Sequence, residues 1–94
     1  MNEYLKVRWL HRDPKYPILL FSEIDRERYE LRKVEVYADG RLGFAAEEWC
    51  MGETVLGEVP VPLLEEITAD PQFVVEHTTP AEFESLWKKA ASAR

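Results

Sequence analysis

Residues 33–46 read Lys-Val-Glu-Val-Tyr-Ala-Asp-Gly-Arg-Leu-Gly-Phe-Ala-Ala, and this stretch decides the fold class. Val34 and Val36 alternate with Lys33 and Glu35, which is the period of a strand with one apolar face. Asp39-Gly40 follows as a hairpin signal, because glycine tolerates the positive φ that the turn requires. Leu42, Phe44 and Ala46 then alternate inward on the returning strand. Strands joined by so short a connection run antiparallel, since a parallel pair needs a crossover of a dozen residues or more.

Toward the N-terminus the same logic extends the sheet. The strand holding Val34 spans Tyr29 to Tyr37. Pro17 to Ile24 contains the apolar run Ile18-Leu19-Leu20-Phe21, a strand with little exposed face, and the charged stretch Ser22 to Arg28 reads as a loop in preference to one helical turn. Tyr4 to His11 alternates again, with Leu5, Val7 and Trp9 one way and Lys6 and Arg8 the other, and Asp13-Pro14 marks the turn after it. Toward the C-terminus, Thr54 to Val59 reads as a fifth strand. The character changes at Pro60. Pro62 to Ile67 suits a short helix with proline in its first turn and Glu65 and Glu66 near its positive end. Asp70-Pro71 closes it, and Phe73 to Glu76 is a short extended segment. Thr79-Pro80-Ala81-Glu82 is a capping box with proline at the first helical position. The helix it opens carries Phe83, Trp87 and Ala90 on one stripe, with Lys88 and Lys89 near its negative end.

Strands first and helices last predict an α+β fold: an antiparallel sheet of about five strands, with a short helix and a C-terminal helix packed on one face. Leu5, Val7, Trp9, Leu20, Val34, Val36, Phe44, Phe83 and Trp87 are expected in one core. At 94 residues the chain supports a single domain, residues 1–94. A hydrophobic content of 46% with three tryptophans excludes the disordered acidic class, which is poor in aromatics. Cys50 is the only cysteine, so an internal disulfide is impossible, which fits a reducing compartment. The N-terminal residues lack the pattern of a signal peptide, and no apolar run approaches the ~20 residues of a membrane span. The expectation is a cytoplasmic protein.

Charge is segregated along the chain. Between Leu42 and Trp87 there is no lysine or arginine, yet Glu47, Glu48, Glu53, Glu58, Glu65, Glu66, Asp70, Glu76, Glu82 and Glu84 all fall there. The first 41 residues are nearly balanced, so the formal net charge of −6 belongs mostly to the second half. A run of one sign builds a field that attracts a cationic partner. The bland alternative is a set of solvated surface carboxylates. Trp49 lies inside the run. If the alternation of Leu42, Phe44 and Ala46 continues, then Ala45, Glu47, Trp49 and Met51 point away from the core, and an outward tryptophan among Glu47, Glu48 and Glu53 has the composition of an interface anchor. If a turn near Glu48 resets the register, Trp49 caps the core instead. The expected partner-binding residues are Glu47, Glu48, Trp49, Met51, Glu53 and Glu58.

Catalytic and metal patterns are weak. Cys50 with His11 or His77 has the residue types of a thiolate–imidazole pair, but neighbouring carboxylates disfavour the thiolate. The carboxylate spacing does not match a calcium loop, and two histidines with one cysteine do not form a zinc site by spacing. No catalytic residue, metal or cofactor is assigned. Lys6, Arg8, Lys33 and Arg41, with Tyr4 and Tyr37, would suit single-strand nucleic acid if they shared an exposed sheet face. Glu35 and Glu47 on that face and the net charge oppose approach to phosphates, so neither nucleic acid nor membrane is expected as partner.

The chain resembles a family of small, uncharacterised bacterial domains of this length. The resemblance rests on Trp9-Leu10-His11, Tyr29-Glu30-Leu31-Arg32-Lys33-Val34-Glu35, Asp39-Gly40, Gly57-Glu58-Val59-Pro60, Glu65-Glu66-Ile67, Asp70-Pro71, and Glu82-Phe83-Glu84 with Trp87. It covers nearly the whole chain, but its motifs are mostly fold determinants and it transfers no catalytic residue. Small acidic bacterial domains of this kind resemble immunity proteins by analogy. The resulting expectation is a non-enzymatic acidic binding protein, an immunity-type inhibitor of a cationic toxin such as a nuclease. The alternative is an accessory interaction domain, followed by a small enzyme or nucleic-acid binder.

Overall fold

The computed structural model describes residues 2–46, 54, 56, 57 and 60–92, and the backbone of residues 49–51. Its architecture is α+β, as the strand-then-helix order implies. Five strands form a meander: β1 (Glu3–Trp9), β2 (Leu19–Ile24), β3 (Glu30–Val36), β4 (Leu42–Ala46) and β5 (Trp49–Met51). Then come α1 (Leu64–Thr68), β6 (Phe73–Glu76) and α2 (Pro80–Ser92). All pairings are antiparallel in the order β5-β4-β3-β2-β1-β6, so the short extended segment Phe73–Glu76 becomes a sixth strand at the β1 edge.

The β3–β4 hairpin forms as read. Gly40 has φ 92°, its N–H donates to Tyr37 O at 3.0 Å, and Asp39 Oδ1 accepts the Arg41 N–H at 3.0 Å. That register puts Val34 opposite Phe44 and Val36 opposite Leu42. Phe21 lies opposite Val34 on the other side, so Phe21, Val34 and Phe44 form one row across the sheet. Helix α2 covers this row with Phe83 and Ala90, and the five residues make the dry core. Trp87 packs beside them, its ring edge-on to Phe44 at 5.3 Å.

The nine residues expected in one core divide between two faces, because side chains alternate across a strand. Val34, Val36, Phe44, Phe83 and Trp87 belong to the α2 side. Leu5 and Val7 are buried on the opposite side, where they line a cleft with Leu20 and Phe73. Trp9 packs against Phe73 with tilted rings, centroids 5.8 Å apart, at the end of that face. The sheet is therefore covered on both sides: α2 lies over one face, and α1 with the segment before it lies over the other.

Topology explains the second cover. The meander ends at the β5 edge, while β6 pairs at the β1 edge, about five strand spacings or roughly 24 Å away. The chain between Met51 and Phe73 has to cross the sheet face to get there. Thr54, Leu56 and Gly57 consequently lie outside any strand, where a fifth strand over Thr54–Val59 was expected; Val55, Glu58 and Val59 lie outside the described residues. Side-chain carboxylates of β3 tie this strap to the sheet. The Thr54 hydroxyl donates to Glu35 Oε1 at 2.6 Å, and the Gly57 N–H to Glu30 Oε1 at 2.7 Å.

Three boundaries shift for local reasons. Ser22 and Glu23, expected in a loop, are buried in β2, because Ser22 donates to Glu30 and Glu23 pairs with Arg32. The loop is instead Asp25–Tyr29, with Arg28 at φ 71°. Helix α1 starts two residues after Pro62, with Leu63 as its N-cap and no side-chain cap. Arg28 holds the carbonyls of Val61 and Pro62 in the strap, so proline precedes the helix. Finally, β4 ends at Ala46 and β5 runs back antiparallel with Trp49 opposite Ala46. The strand does not continue through residue 49, and Ala45, expected to point outward, is 1% exposed beneath the strap side.

Candidate functional site

Of the expected partner-binding residues, Glu47, Glu48, Glu53 and Glu58 lie outside the described residues, as do the side chains of Trp49 and Met51. The other six carboxylates of the acidic stretch divide sharply. Three are neutralised by cations from the first half of the chain. Glu76 pairs with Arg8 at 2.7 Å and Lys6 at 3.6 Å, Glu82 with Lys6 at 3.4 Å, and Glu84 with Arg32. Folding thus undoes part of the segregation seen along the sequence. Glu65, Glu66 and Asp70 make no ion pair among the described residues, and all three sit on the strap side.

The densest electrostatic cluster lies under α2. Arg32 donates from Nε to Glu23 Oε1 at 2.6 Å and, through both terminal nitrogens, to the Glu84 carboxylate. Its guanidinium lies 5.0 Å from the Phe83 ring centre and 5.1 Å from that of Trp87. Burial pushes the Glu23 carboxyl up, but hydrogen bonds from Arg32, Asn2 and Tyr4 outweigh it and hold the group below the usual range. The Arg32 hydrogen bonds hold Glu84 down as well, and Glu84 and Glu23 together push Arg32 up. Burial and the Glu23 bond raise the Tyr4 hydroxyl. Every buried polar side-chain atom among the described residues has a partner, so the cluster reads as a structural network.

Basic residues considered for nucleic acid do not share a face. Lys6 lies over the Phe21 ring on the α2 side, whereas Lys33 pairs with Glu30 on the strap side. His11 has both nitrogens engaged. Nδ1 accepts the Asp13 N–H at 3.0 Å, so Nε2 carries the proton and donates to Pro17 O at 2.7 Å. That ties down the β1–β2 loop and leaves no free base. No group of His, Cys, Asp and Glu among the described residues could hold a metal ion.

A cleft of about 470 Å³ lies under the strap. Leu5, Val7 and Leu20 form its floor, Pro60, Val61 and Pro62 one wall, and Ile67 and Phe73 the end toward α1 and β6. Pockets of a few hundred Å³ with apolar walls and few polar groups are the usual form of a binding site. Glu30 organises it, accepting from Ser22 Oγ at 2.9 Å, Gly57 N–H at 2.7 Å and Lys33 Nζ at 3.1 Å. Arg28 clamps the far wall: Val61 N–H donates to Arg28 O at 2.6 Å, while Arg28 donates back to Val61 O and Pro62 O. Glu66 and Asp70 stand at the mouth.

Sequence reasoning missed this site. Its signals were Ser22 inside an otherwise apolar run, which demands a buried partner, and the Pro60-Val61-Pro62 triplet, which cannot supply a ladder of N–H donors. A family model described as a domain of unknown function (DUF6881) matches residues 3–92. The chain belongs to the DUF6881 family. No curated protein and no solved structure matches it. The match spans β1 through α2, so both faces of the sheet, cleft included, fall within the DUF6881 domain.

Proposed function

We propose that this DUF6881 domain is a non-enzymatic binding protein that engages a basic protein partner, in the manner of an immunity-type inhibitor of a cationic toxin. The observation that carries the reading is the apolar cleft lined by Glu66 and Asp70, carboxylates that make no ion pair among the described residues. Exposed Leu63 and Leu64 extend the apolar surface next to it. Apolar contact slows dissociation, and surrounding charge of one sign speeds encounter with a partner of the other sign. In sequence, Glu47, Glu48, Glu53 and Glu58 add to the same charge, and Trp49 adds a candidate anchor. A lone cysteine suits work in the cytoplasm. No helix among the described residues is long and apolar enough to cross a membrane.

The test is affinity capture at low salt from the source organism, followed by identification of what binds. The expected partner is a basic protein. Glu65→Lys combined with Glu66→Lys should slow association and flatten its salt dependence, because rim charges act on encounter. An acidic partner, or binding indifferent to salt and to both substitutions, refutes the reading.

A further inference from the structure

We propose that the cleft receives one large apolar side chain of the partner, directly flanked in the partner's sequence by a lysine or arginine. This rests on the basic-partner reading and specifies its recognition element. The interior argues for an apolar occupant. Its polar floor is already closed on itself, since Ser22 and Lys33 both donate to Glu30. The strap wall is closed too: Pro60 and Pro62 have no N–H, and Val61 exchanges hydrogen bonds with Arg28. An occupant would find apolar contact inside and, from Pro60, Val61 and Pro62, no unpaired donor. Among the described lining residues, the charges without an ionic partner are the carboxylates of Glu66 and Asp70, the latter also accepting the Gln72 N–H at 2.9 Å. Lys33, the one cation among the described lining residues, is paired with Glu30 at 3.1 Å. The complementary ligand therefore carries an apolar tip with a cation beside it.

The surface around the mouth argues for a protein over a small amine. Ile67 lines the cleft, and Leu63, the N-cap, and Leu64 lie four and three residues before it, next to it on the helix surface. They are 52% and 46% exposed. A molecule confined to the cleft would leave both in water, whereas a protein surface seated on it would cover them. Anchors of this kind, one large side chain filling a pocket inside a ring of lesser contacts, carry most of the energy in protein interfaces.

The test is an NMR titration of the ¹⁵N-labelled full chain with three acetylated tetrapeptide amides, Gly-Phe-Arg-Gly, Gly-Ala-Arg-Gly and Gly-Phe-Glu-Gly. The Phe-Arg peptide should shift the amides of Val7, Leu20, Ile67 and Phe73. The Ala-Arg peptide should bind at least ~10-fold more weakly, having lost the anchor. The Phe-Glu peptide should bind roughly 2- to 5-fold more weakly at low salt, the range of an exposed ion pair, and Glu66→Lys should invert that order. Equal shifts from all three peptides, shifts confined to other surfaces, or no shifts overturn the proposal. Captured partner supplies the separating experiment. A basic partner that binds Ile67→Lys and Glu66→Lys proteins as tightly as the unmodified chain refutes the cleft and spares the basic-partner reading. Capture of no basic partner, with the peptide order intact, refutes the reading and spares the cleft's preference.

Discussion

The two faces of the sheet are built from the same alternating strands but are covered in different ways. On one, α2 lays Phe83 and Ala90 on Phe21, Val34 and Phe44, and the contact is dry. On the other, a chain segment that must cross from one sheet edge to the opposite one is held by side-chain pins at Glu35, Glu30 and Arg28, leaving a cleft between the pins. A helix can present a continuous apolar stripe to a sheet, whereas an irregular strap with two prolines cannot. The comparison teaches that one sheet is covered in two ways: one face is closed by packing, the other is held open by hydrogen bonds.

The sharpest way to break that division is to truncate one large apolar side chain on each face. Phe83→Ala empties a fully buried site and should cost about 3–5 kcal/mol. At ~4–8 °C per kcal/mol for a domain of this size, the melting temperature should fall by about 12 °C or more. Leu20→Ala removes bulk from a wall that already borders open space, creates no new void, and should cost less than about 2 kcal/mol. Equal losses in thermal unfolding would mean that the cleft face is packed as tightly as the helix face.

Electrostatics give the next largest effect. Arg32→Met leaves Glu23 in its buried position without its cation. Breaking a fully buried pair costs about 3–5 kcal/mol, and with 20% of the Arg32 side chain exposed, about 2–3 kcal/mol is expected by chemical denaturation. The same network predicts a pH dependence. Glu23 and Glu84 have depressed folded-state values, so their stabilisation is complete above the ordinary Glu value of about 4.3 and fades as pH falls through the lower folded values. Stability should be level near neutrality and drop below about pH 4.3. Arg32→Met should flatten that drop, and an unchanged acid profile would remove the network from the account.

On the strap face, Glu30→Ala deletes the acceptor shared by Ser22, Gly57 and Lys33. A lost buried hydrogen-bond acceptor costs about 1–3 kcal/mol, and the expected loss is at the lower end because Gly57 is exposed and water can replace its partner. The distinctive readout is local: hydrogen exchange at Gly57 and Val61 should accelerate while that at Val34 stays slow. Uniform acceleration would show that the strap is one cooperative unit with the core.

What could be read from the sequence follows the same divide. The helix face was legible in periodicity: Val34 and Val36, Asp39-Gly40, Phe44, and the Phe83–Trp87–Ala90 stripe all have the roles their spacing implies. These are local signals reinforced by one apolar contact surface. The strap face was not legible, because Glu30, Arg28 and Ser22 act through partners 8 to 34 residues away. No period marks such pairs, and a buried Ser-Glu step reads as a loop until its partners are known. Charge misled in the same way: Glu76, Glu82 and Glu84 read as one acidic run, yet Lys6, Arg8 and Arg32 reach them across the sheet.

The smallest effect tests how α2 begins. A capping box implies reciprocal bonds, with Thr79 accepting a helix N–H and Glu82 reaching back. Only the first half matches. Thr79 Oγ1 accepts the Glu82 N–H at 3.1 Å, while the Glu82 carboxylate accepts the Thr78 hydroxyl at 2.6 Å and pairs with Lys6 at 3.4 Å. The hydroxyl of Thr78 and the ammonium of Lys6 both hold the Glu82 carboxyl below its usual range, which fits a group that serves the β1 contact more than the cap. Thr79→Ala should therefore cost about 1 kcal/mol, since it leaves a helix-end donor without its acceptor. Glu82→Gln should cost under about 0.5 kcal/mol, because the pair is exposed and the amide can still accept from Thr78. The two denaturant midpoints decide the matter. If Glu82→Gln costs as much as Thr79→Ala, the reciprocal box forms in solution, and the helix face is anchored to β1 less firmly than the Lys6 contact implies.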